Sequence, residues 1–354
     1  MTVEDRIREA TELELIKYEM VTQLAEAYRE TQADKERKLI TQTIVELLNG
    51  RRKKWKSADF YAFYLDQGFD PRLNQMGQII ENEGHQIRDL DIEVLKAAVH
   101  DADGQTSNVR TMIMAMANLN QYNPIKEYID ELEPWDGVDH LAKLCSYFTD
   151  DGNLYMFMKR WLIGCLAKVF DQEQNFVLVL AGGQDLGKYQ FCRWLVGPNL
   201  ERYFVEGGIQ PDDKDDKLRA TRNFIWEVVE LDATVGRRDE AALKGFLTTK
   251  EFTVRPPYAS SDEKFPASAS FIATINPNGA GFLRDTTGNR RFAVTEISDL
   301  DWSYDQAVDI DQLWAQVWAW YEAGESHKLS DEEKFRQRST NDLHQVTDVF
   351  ESLI

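Results

Sequence analysis

The sequence predicts an α/β protein, with a largely parallel sheet at its core, a mainly helical N-terminal region and a helical C-terminal segment. Three observations lead there. Strand-length apolar runs begin only after Asn175 and then alternate with helical patterns, as in sheets crossed over by helices. The first such run, Phe176-Val177-Leu178-Val179-Leu180, has no polar face, which suits a strand buried on both sides. It leads directly into the glycine-rich string Gly182-Gly183-Gln184-Asp185-Leu186-Gly187-Lys188, and a helical pattern follows.

From the N-terminus, Ile7, Ala10, Ile16, Met20, Leu24 and Ala27 recur at helical spacing, and Ile40, Ile44, Leu47 and Leu48 form a second stripe. Asn49-Gly50 is a helix stop. The densest basic cluster, Arg51-Arg52-Lys53-Lys54-Trp55-Lys56, reads as a solvated linker ahead of a phosphate-backbone contact. Short helices fill residues 57–132, interrupted by a hairpin near Gln78–Ile87 that turns at Glu83-Gly84. Asn123-Pro124 starts a new helix with proline in its first turn, and Pro134-Trp135-Asp136-Gly137 is a turn. Helices are expected over about Leu141–Phe148 and Leu154–Phe170.

Further strands are expected at Phe224–Trp226, Ser270–Ile275 and Phe292–Thr295, with helices at Phe191–Val196 and Glu240–Leu247 between them. Beyond the sheet, Ile310, Leu313, Trp314, Val317, Trp318 and Tyr321 form a wide apolar stripe closed by Gly324. This stripe reads as a packing face. Ser330 and Glu333 make a capping box for the last helix. The expected divisions are residues 1–122, a helical segment 123–172, the core 173–298 and a C-terminal helical segment 299–354.

Composition narrows the function. A length of 354 residues suggests two or three domains. No apolar run approaches the roughly 20 residues of a membrane helix. The charged start at Glu4 and Asp5 does not suit a signal peptide, so a cytoplasmic location is expected. Three cysteines without ligand spacing and five scattered histidines argue against a zinc site or a disulfide framework. The formal charge is −20, from 41 basic and 61 acidic residues. Since affinity for nucleic acid rests mainly on Lys and Arg, any such contact must be a local basic surface.

The glycine-rich string is the pattern of a phosphate-binding loop. Glycines let backbone N–H groups curl around an anion, the helix N-terminus adds partial positive charge, and the lysine reaches the terminal phosphates. Gly182, Gly183, Gln184, Asp185, Leu186, Gly187, Lys188 and Tyr189 are therefore the expected nucleotide-binding residues, with ATP and Mg²⁺ as ligands. Two of them depart from the pattern. Tyr189 stands where Ser or Thr would place a hydroxyl on Mg²⁺, an ion that demands near-ideal octahedral geometry. Asp185 adds a negative charge; about 4 Å from a phosphate, the repulsion would reach about 4 kcal/mol at an effective dielectric of about 20. Pointed outward, most of that cost disappears.

About 40 residues on, Phe224-Ile225-Trp226-Glu227-Val228-Val229-Glu230-Leu231-Asp232 reads as an apolar strand ending in acids. One carboxylate would hold Mg²⁺ and another would orient the attacking water. Glu227, also the metal candidate, and Glu230 are chosen for these catalytic roles, with Asp232 third. Asn276, at the tip of the Ser270–Ile275 strand, can reach the terminal phosphate and hold the lytic water; the competing reading is a turn at Asn276-Pro277-Asn278-Gly279. Arg290 and Arg291 are placed at the start of a strand with side chains facing opposite ways, so that one can project toward a neighbouring subunit as an arginine finger.

Together these residues resemble the virulence-associated E family, relatives of the superfamily 3 helicases of phages, plasmids and genomic islands. The resemblance runs from about Asn123 to His327. It includes Trp135-Asp136-Gly137-Val138, the Gly182–Lys188 loop, Leu243-Lys244-Gly245-Phe246, Val254-Arg255-Pro256-Pro257-Tyr258 and Asp285-Thr286-Thr287-Gly288-Asn289-Arg290-Arg291-Phe292. It implies an AAA+-type P-loop NTPase core in a homo-oligomeric ring, for which a hexamer is a candidate size. It also implies ATP-driven movement on single-stranded DNA, with a separate primase as a candidate partner and no membrane. Relatives carry a pore-lining hairpin before the Asn276 strand, which makes Arg255 and Lys264 the DNA-binding candidates. A second reading, a hydrolysis-poor nucleotide-binding loader, scaffold or regulator of replication, follows from Asp185 and Tyr189.

Overall fold

The computed structural model describes residues 55–229, 231, 240–255, 262–276, 282–283 and 289–346, together with isolated positions between 20 and 27. The stripes expected over residues 3–48 and the basic residues Arg51–Lys54 lie outside the described residues, those isolated positions apart. The chain divides into two compact units, residues 1–122 and 123–354.

In the first unit, α1 (Ser57–Asp66) is followed by β1 (Arg72–Asn74), β2 (Ile79–Asn82), β3 (His85–Gln86), α2 (Asp89–Asp101), α3 (Val109–Leu119) and β4 (Gln121–Tyr122). The four strands form one sheet in the order β3-β2-β1-β4. Glu83 and Gly84 both take positive φ, 49° and 75°, so the β2–β3 turn has the backbone that matches strand twist. Phe60, Tyr64, Ile92, Leu95, Val99 and Ile113 make a core between helices and sheet. Trp55 packs onto Phe60 and Phe63 with ring centroids 5.1 and 5.0 Å away. The one aromatic of the basic cluster is thus a packing residue.

The second unit begins with α4 (Pro124–Glu131), whose N-cap Asn123 accepts from the backbone of Ile125 and Lys126. Next come α5 (His140–Cys145), β5 (Phe148–Asp150) and α6 (Leu154–Phe170). The helix expected to reach Phe148 stops at Cys145, because Phe148 pairs with a sheet edge instead. The chain continues through β6 (Val177–Gly182), α7 (Lys188–Trp194), α8 (Gly197–Leu200), β7 (Phe204–Glu206), α9 (Lys214–Arg222) and β8 (Ile225–Val229). Then follow α10 (Glu240–Leu247), β9 (Glu251–Val254), β10 (Glu263–Pro266), β11 (Ser270–Ile275) and β12 (Phe292–Leu300). The last helices are α11 (Tyr304–Ala307), α12 (Ile310–Glu322) and α13 (Asp331–Leu343).

The main sheet has the order β5-β12-β6-β11-β8-β7. Its five inner and right-hand strands are mutually parallel, and β5 pairs antiparallel with β12. All six residues of β6 are buried, which explains its uninterrupted apolar sequence. Burying each Val or Leu there contributes about 1.5–3 kcal/mol. Side chains alternate along each strand. Val177, Val179, Trp226, Val228, Phe271 and Ala273 share one core with Phe246 of α10 and with Phe252, Val254 and Phe265 of the β9–β10 hairpin. Leu178, Glu227 and Thr274 therefore face the other way. On α12, Leu313, Trp314 and Val317 are buried, and the Trp314 indole donates to the Leu195 carbonyl at 2.9 Å. The aromatic stripe packs as expected.

Candidate functional site

The loop between β6 and α7 opens at the carboxyl end of the parallel strands, where open α/β sheets place their ligand crevices. Two of its backbone positions are left-handed, Asp185 at φ 64° and Gly187 at φ 82°. Gly187 is obligatory twice over: a Cβ there would also lie 2.3 Å from Cζ2 of Trp302. At Gly182 a Cβ would meet the Ile297 carbonyl oxygen at 2.4 Å. The first and last glycines thus let the loop pack closely against the segment that carries β12 and Trp302.

Lys188, the first residue of α7, is buried, and its ammonium lies inside the loop. It donates to the carbonyls of Gly182 (2.7 Å) and Gly183 (2.6 Å) and to Oδ1 of Asn276 (3.0 Å). Desolvation lowers its pKa below the ordinary lysine value, against the opposing influence of Cys192 and Asp185. The structure therefore joins Lys188 and Asn276 directly. Strand order explains the contact: β11 sits between β6 and β8, so its tip lies between the loop and the acid-bearing strand.

Asp185 is exposed, as are Gly183 and Gln184, while Leu186 is half-buried with Cδ1 4.0 Å from a Cβ built on Gly183. Solvent around the Asp185 carboxylate screens its repulsion of an anion. Tyr189 is 36% exposed, and its hydroxyl accepts from Nη1 of Arg193 one helical turn on, at 3.1 Å. Arg193 in turn binds Glu201 through Nε at 2.9 Å. The tyrosine hydroxyl thus belongs to a surface chain running along α7.

Glu227 sits within β8, three residues into the strand, because the strand continues through Val229. It is fully buried. Oε1 accepts from the Thr274 hydroxyl at 2.9 Å, whereas Oε2 is buried without a partner. Burial pushes the carboxyl up from 4.5 to about 7; the Thr274 hydrogen bond opposes this, and the charge of Glu206 adds to it. Glu206 is the cross-strand partner of Glu227 on β7. Glu230 and Asp232 lie outside the described residues.

Arg290 and Arg291 occupy a single 3-10 turn, Asn289–Arg291, before β12, so the alternation expected on a strand does not apply to them. Phe292 pairs with Val177 and Ile297 with Gly182, which puts the arginines about 17 Å from the loop at about 3.3 Å per residue. They cannot serve the loop of their own chain. Arg255 and Lys264 belong to the segment of the β9–β10 hairpin and are exposed, and Lys264 pairs with Glu251 at 3.6 Å. Pro256–Ser261 lie outside the described residues.

Sequence reasoning missed Thr274, Glu206 and Trp302. Thr274 carried a findable signal, a hydroxyl two residues before Asn276 and on the face opposite the apolar core. The other two depend on strand pairing and loop packing. The site residues fit a phosphate-bearing nucleotide: a left-handed loop, a helix N-terminus and a buried ammonium converge there. Glu227, the Mg²⁺ candidate, lies level with Leu178 through Ile272, four residues down the sheet from Gly182, with Oε2 buried and unpartnered, and no group of three or more His, Cys, Asp or Glu able to hold a metal occurs among the described residues. No helix among those residues is long and apolar enough to cross a membrane.

The virulence-associated protein E-like domain matches residues 129–346. No curated protein matches the chain. Among solved structures, the apo C-terminal region of NrS-1 (305-718) aligns at 13% identity with a TM-score of 0.52, covering 86% of this chain and 77% of that one. The A form of the apo NrS-1 C-terminal region aligns at 14% identity with a TM-score of 0.48, covering 86% and 74%. At 13% identity the likeness to the first of these is one of mixed α/β fold.

Proposed function

This chain belongs to the virulence-associated protein E-like family, and from that premise we propose that it is an ATP-dependent, helicase-like DNA-replication ATPase of a mobile genetic element. In this reading its second unit holds an AAA+-type P-loop core, and the protein works on single-stranded DNA as a homo-oligomeric ring beside a separate primase. The observation that carries the reading is the convergence of Lys188 and Asn276 on one loop at the carboxyl end of a parallel sheet, with Glu227 on the next strand.

Bound triphosphate would replace the Gly182 and Gly183 carbonyls as the partner of the Lys188 ammonium, and the loop N–H groups would face the phosphates. Asn276, released from Lys188, would hold the attacking water. Glu227 is the acid beneath the site, and Mg²⁺ would offset the charge developing on the phosphate oxygens when bound. Arg290 or Arg291 would reach the nucleotide of a neighbouring copy, consistent with their distance from their own loop. A second reading, a hydrolysis-poor loader, scaffold or regulator, is favoured by Tyr189, whose hydroxyl is turned along α7 toward Arg193.

ATP hydrolysis with single-stranded DNA, measured on the wild type, Lys188→Ala and Tyr189→Ser, separates the two. The first reading expects weak wild-type turnover, none in Lys188→Ala and a gain in Tyr189→Ser. No turnover in wild type or Tyr189→Ser, with ATP still bound, would favour the second. Equal activity in all three would remove the loop from the chemistry.

A further inference from the structure

At the end of the sheet away from Lys188 there is a pocket of about 430 Å³. Its charge inverts that of the chain. Arg290, Arg291, Lys328, Lys334 and Arg338 line it, and none of its lining residues is Asp or Glu, in a sequence with 61 acids against 41 basic residues. The cations come from three separate segments: the 3-10 turn before β12, the stretch before α13, and α13 itself. The fold assembles them, as no run of charges in the sequence does. Lys328 and Lys334 also touch Glu173 and Asp331, at 3.3 and 2.9 Å. Arg290, Arg291 and Arg338 make no ion pair among the described residues, and Nε of Arg291 is buried without a partner. A buried donor left in that state costs about 1–3 kcal/mol, so the arrangement suits an anion that arrives from outside. Phe176, Leu247 and Leu329 add apolar wall beside the cations.

We propose that this pocket is a nucleic-acid contact, gripping the phosphate backbone of a single strand. A cationic groove that tracks the backbone, with an aromatic ring beside it for a base to stack on, is the combination that holds single strands without reading their sequence, and Phe176 is the phenyl ring in this lining. A neighbouring copy's nucleotide would take one of Arg290 and Arg291, so four of the five cations remain for the strand, and they extend from the 3-10 turn to the outer face of α13. The proposal rests on the reading of the protein as one that works on single-stranded DNA. It places the contact on cations other than those of the β9–β10 hairpin, where Lys264 already faces Glu251.

The test is binding of a fluorescent oligo-dT to the full-length protein over a series of salt concentrations, without nucleotide. Arg338→Ala/Lys334→Ala changes two exposed residues, and Arg338→Lys/Lys334→Arg keeps both charges. The double-alanine variant should bind more weakly at low salt, with the slope of log K against log salt reduced by about 1.4, or about 0.7 per lost contact. The charge-keeping variant should retain the wild-type slope. Wild-type affinity and slope in the double-alanine variant would overturn the proposal while leaving DNA binding intact. So would unchanged DNA binding with ATP turnover lost in a parallel hydrolysis assay, which would assign Lys334 and Arg338, beside Arg290 or Arg291, to a neighbouring copy's nucleotide. No binding by the wild type would overturn this proposal and the single-strand reading together.

Discussion

At the scale of single residues, Glu227 has the sharpest physical consequence. Its carboxyl is shifted from 4.5 to about 7 by burial, so between those values the folded chain holds a proton that the unfolded chain has released. Stability from this group is full below about pH 4.5 and is lost as pH rises to about 7. Glu227→Gln should therefore be more stable than wild type at pH 8, by up to about 3 kcal/mol, and should show no such advantage at pH 4.5. Urea unfolding at both values measures this, and parallel pH profiles would contradict it. Gly187→Ala tests the loop backbone. A left-handed alanine costs about 1–2 kcal/mol before the displacement of Trp302 is counted, and the variant should lose at least that in thermal unfolding. An unchanged melting temperature would mean the loop is not held in this geometry. Gly182, Gly187 and Lys188 were legible in the sequence because spacing alone defines them. The Tyr189 hydroxyl's partner and the burial of Glu227 were not, since both depend on neighbours distant in sequence.

At the scale of elements, local signals served where the cause is local. The Ser330–Glu333 capping box is present, with Ser330 Oγ accepting at 3.2 Å and Glu333 accepting from the Ser330 N–H at 2.6 Å. Ser330→Ala should destabilise α13 by about 1 kcal/mol, read from urea unfolding, and no change would show that the cap is dispensable. The Glu83-Gly84 turn was equally legible. The errors fall where a partner strand decides the outcome. Phe148 belongs to β5 because β12 runs to Leu300, five residues past its expected end, and offers it an edge. β8 runs three residues past Trp226 because β11 pairs with it as far as Val229, and this places Glu227 inside the strand. Arg290 and Arg291 form a turn because Asn341 and Gln337 of α13 bind the backbone carbonyls of Asn289, Arg290 and Phe292. None of these partners is adjacent in sequence.

At the scale of the whole molecule, the alternation of apolar strands and helices predicted the parallel sheet, but strand order was beyond it. Only the order shows that β11 lies between β6 and β8, bringing Asn276 to Lys188. The parallel pairing of β12 with β6 puts the arginines at the end of the sheet opposite the loop, which makes their proposed role dependent on a second copy. Lys188→Ala and Arg290→Ala/Arg291→Ala proteins should each be inactive alone, and their mixture should recover ATP turnover at interfaces that pair an intact loop with intact arginines. A mixture as inactive as its components would contradict assembly in trans. Every role proposed above in ATP turnover requires that the Gly182–Lys188 loop hold a nucleotide. Calorimetric titration of ATP, with Mg²⁺ present, into wild type and Lys188→Ala tests it most directly. Saturable binding at one site per chain is expected in the wild type, weakened at least about tenfold in the variant, the equivalent of about 1.4 kcal/mol. Equal affinity in the two proteins, or no binding to the wild type, would contradict it.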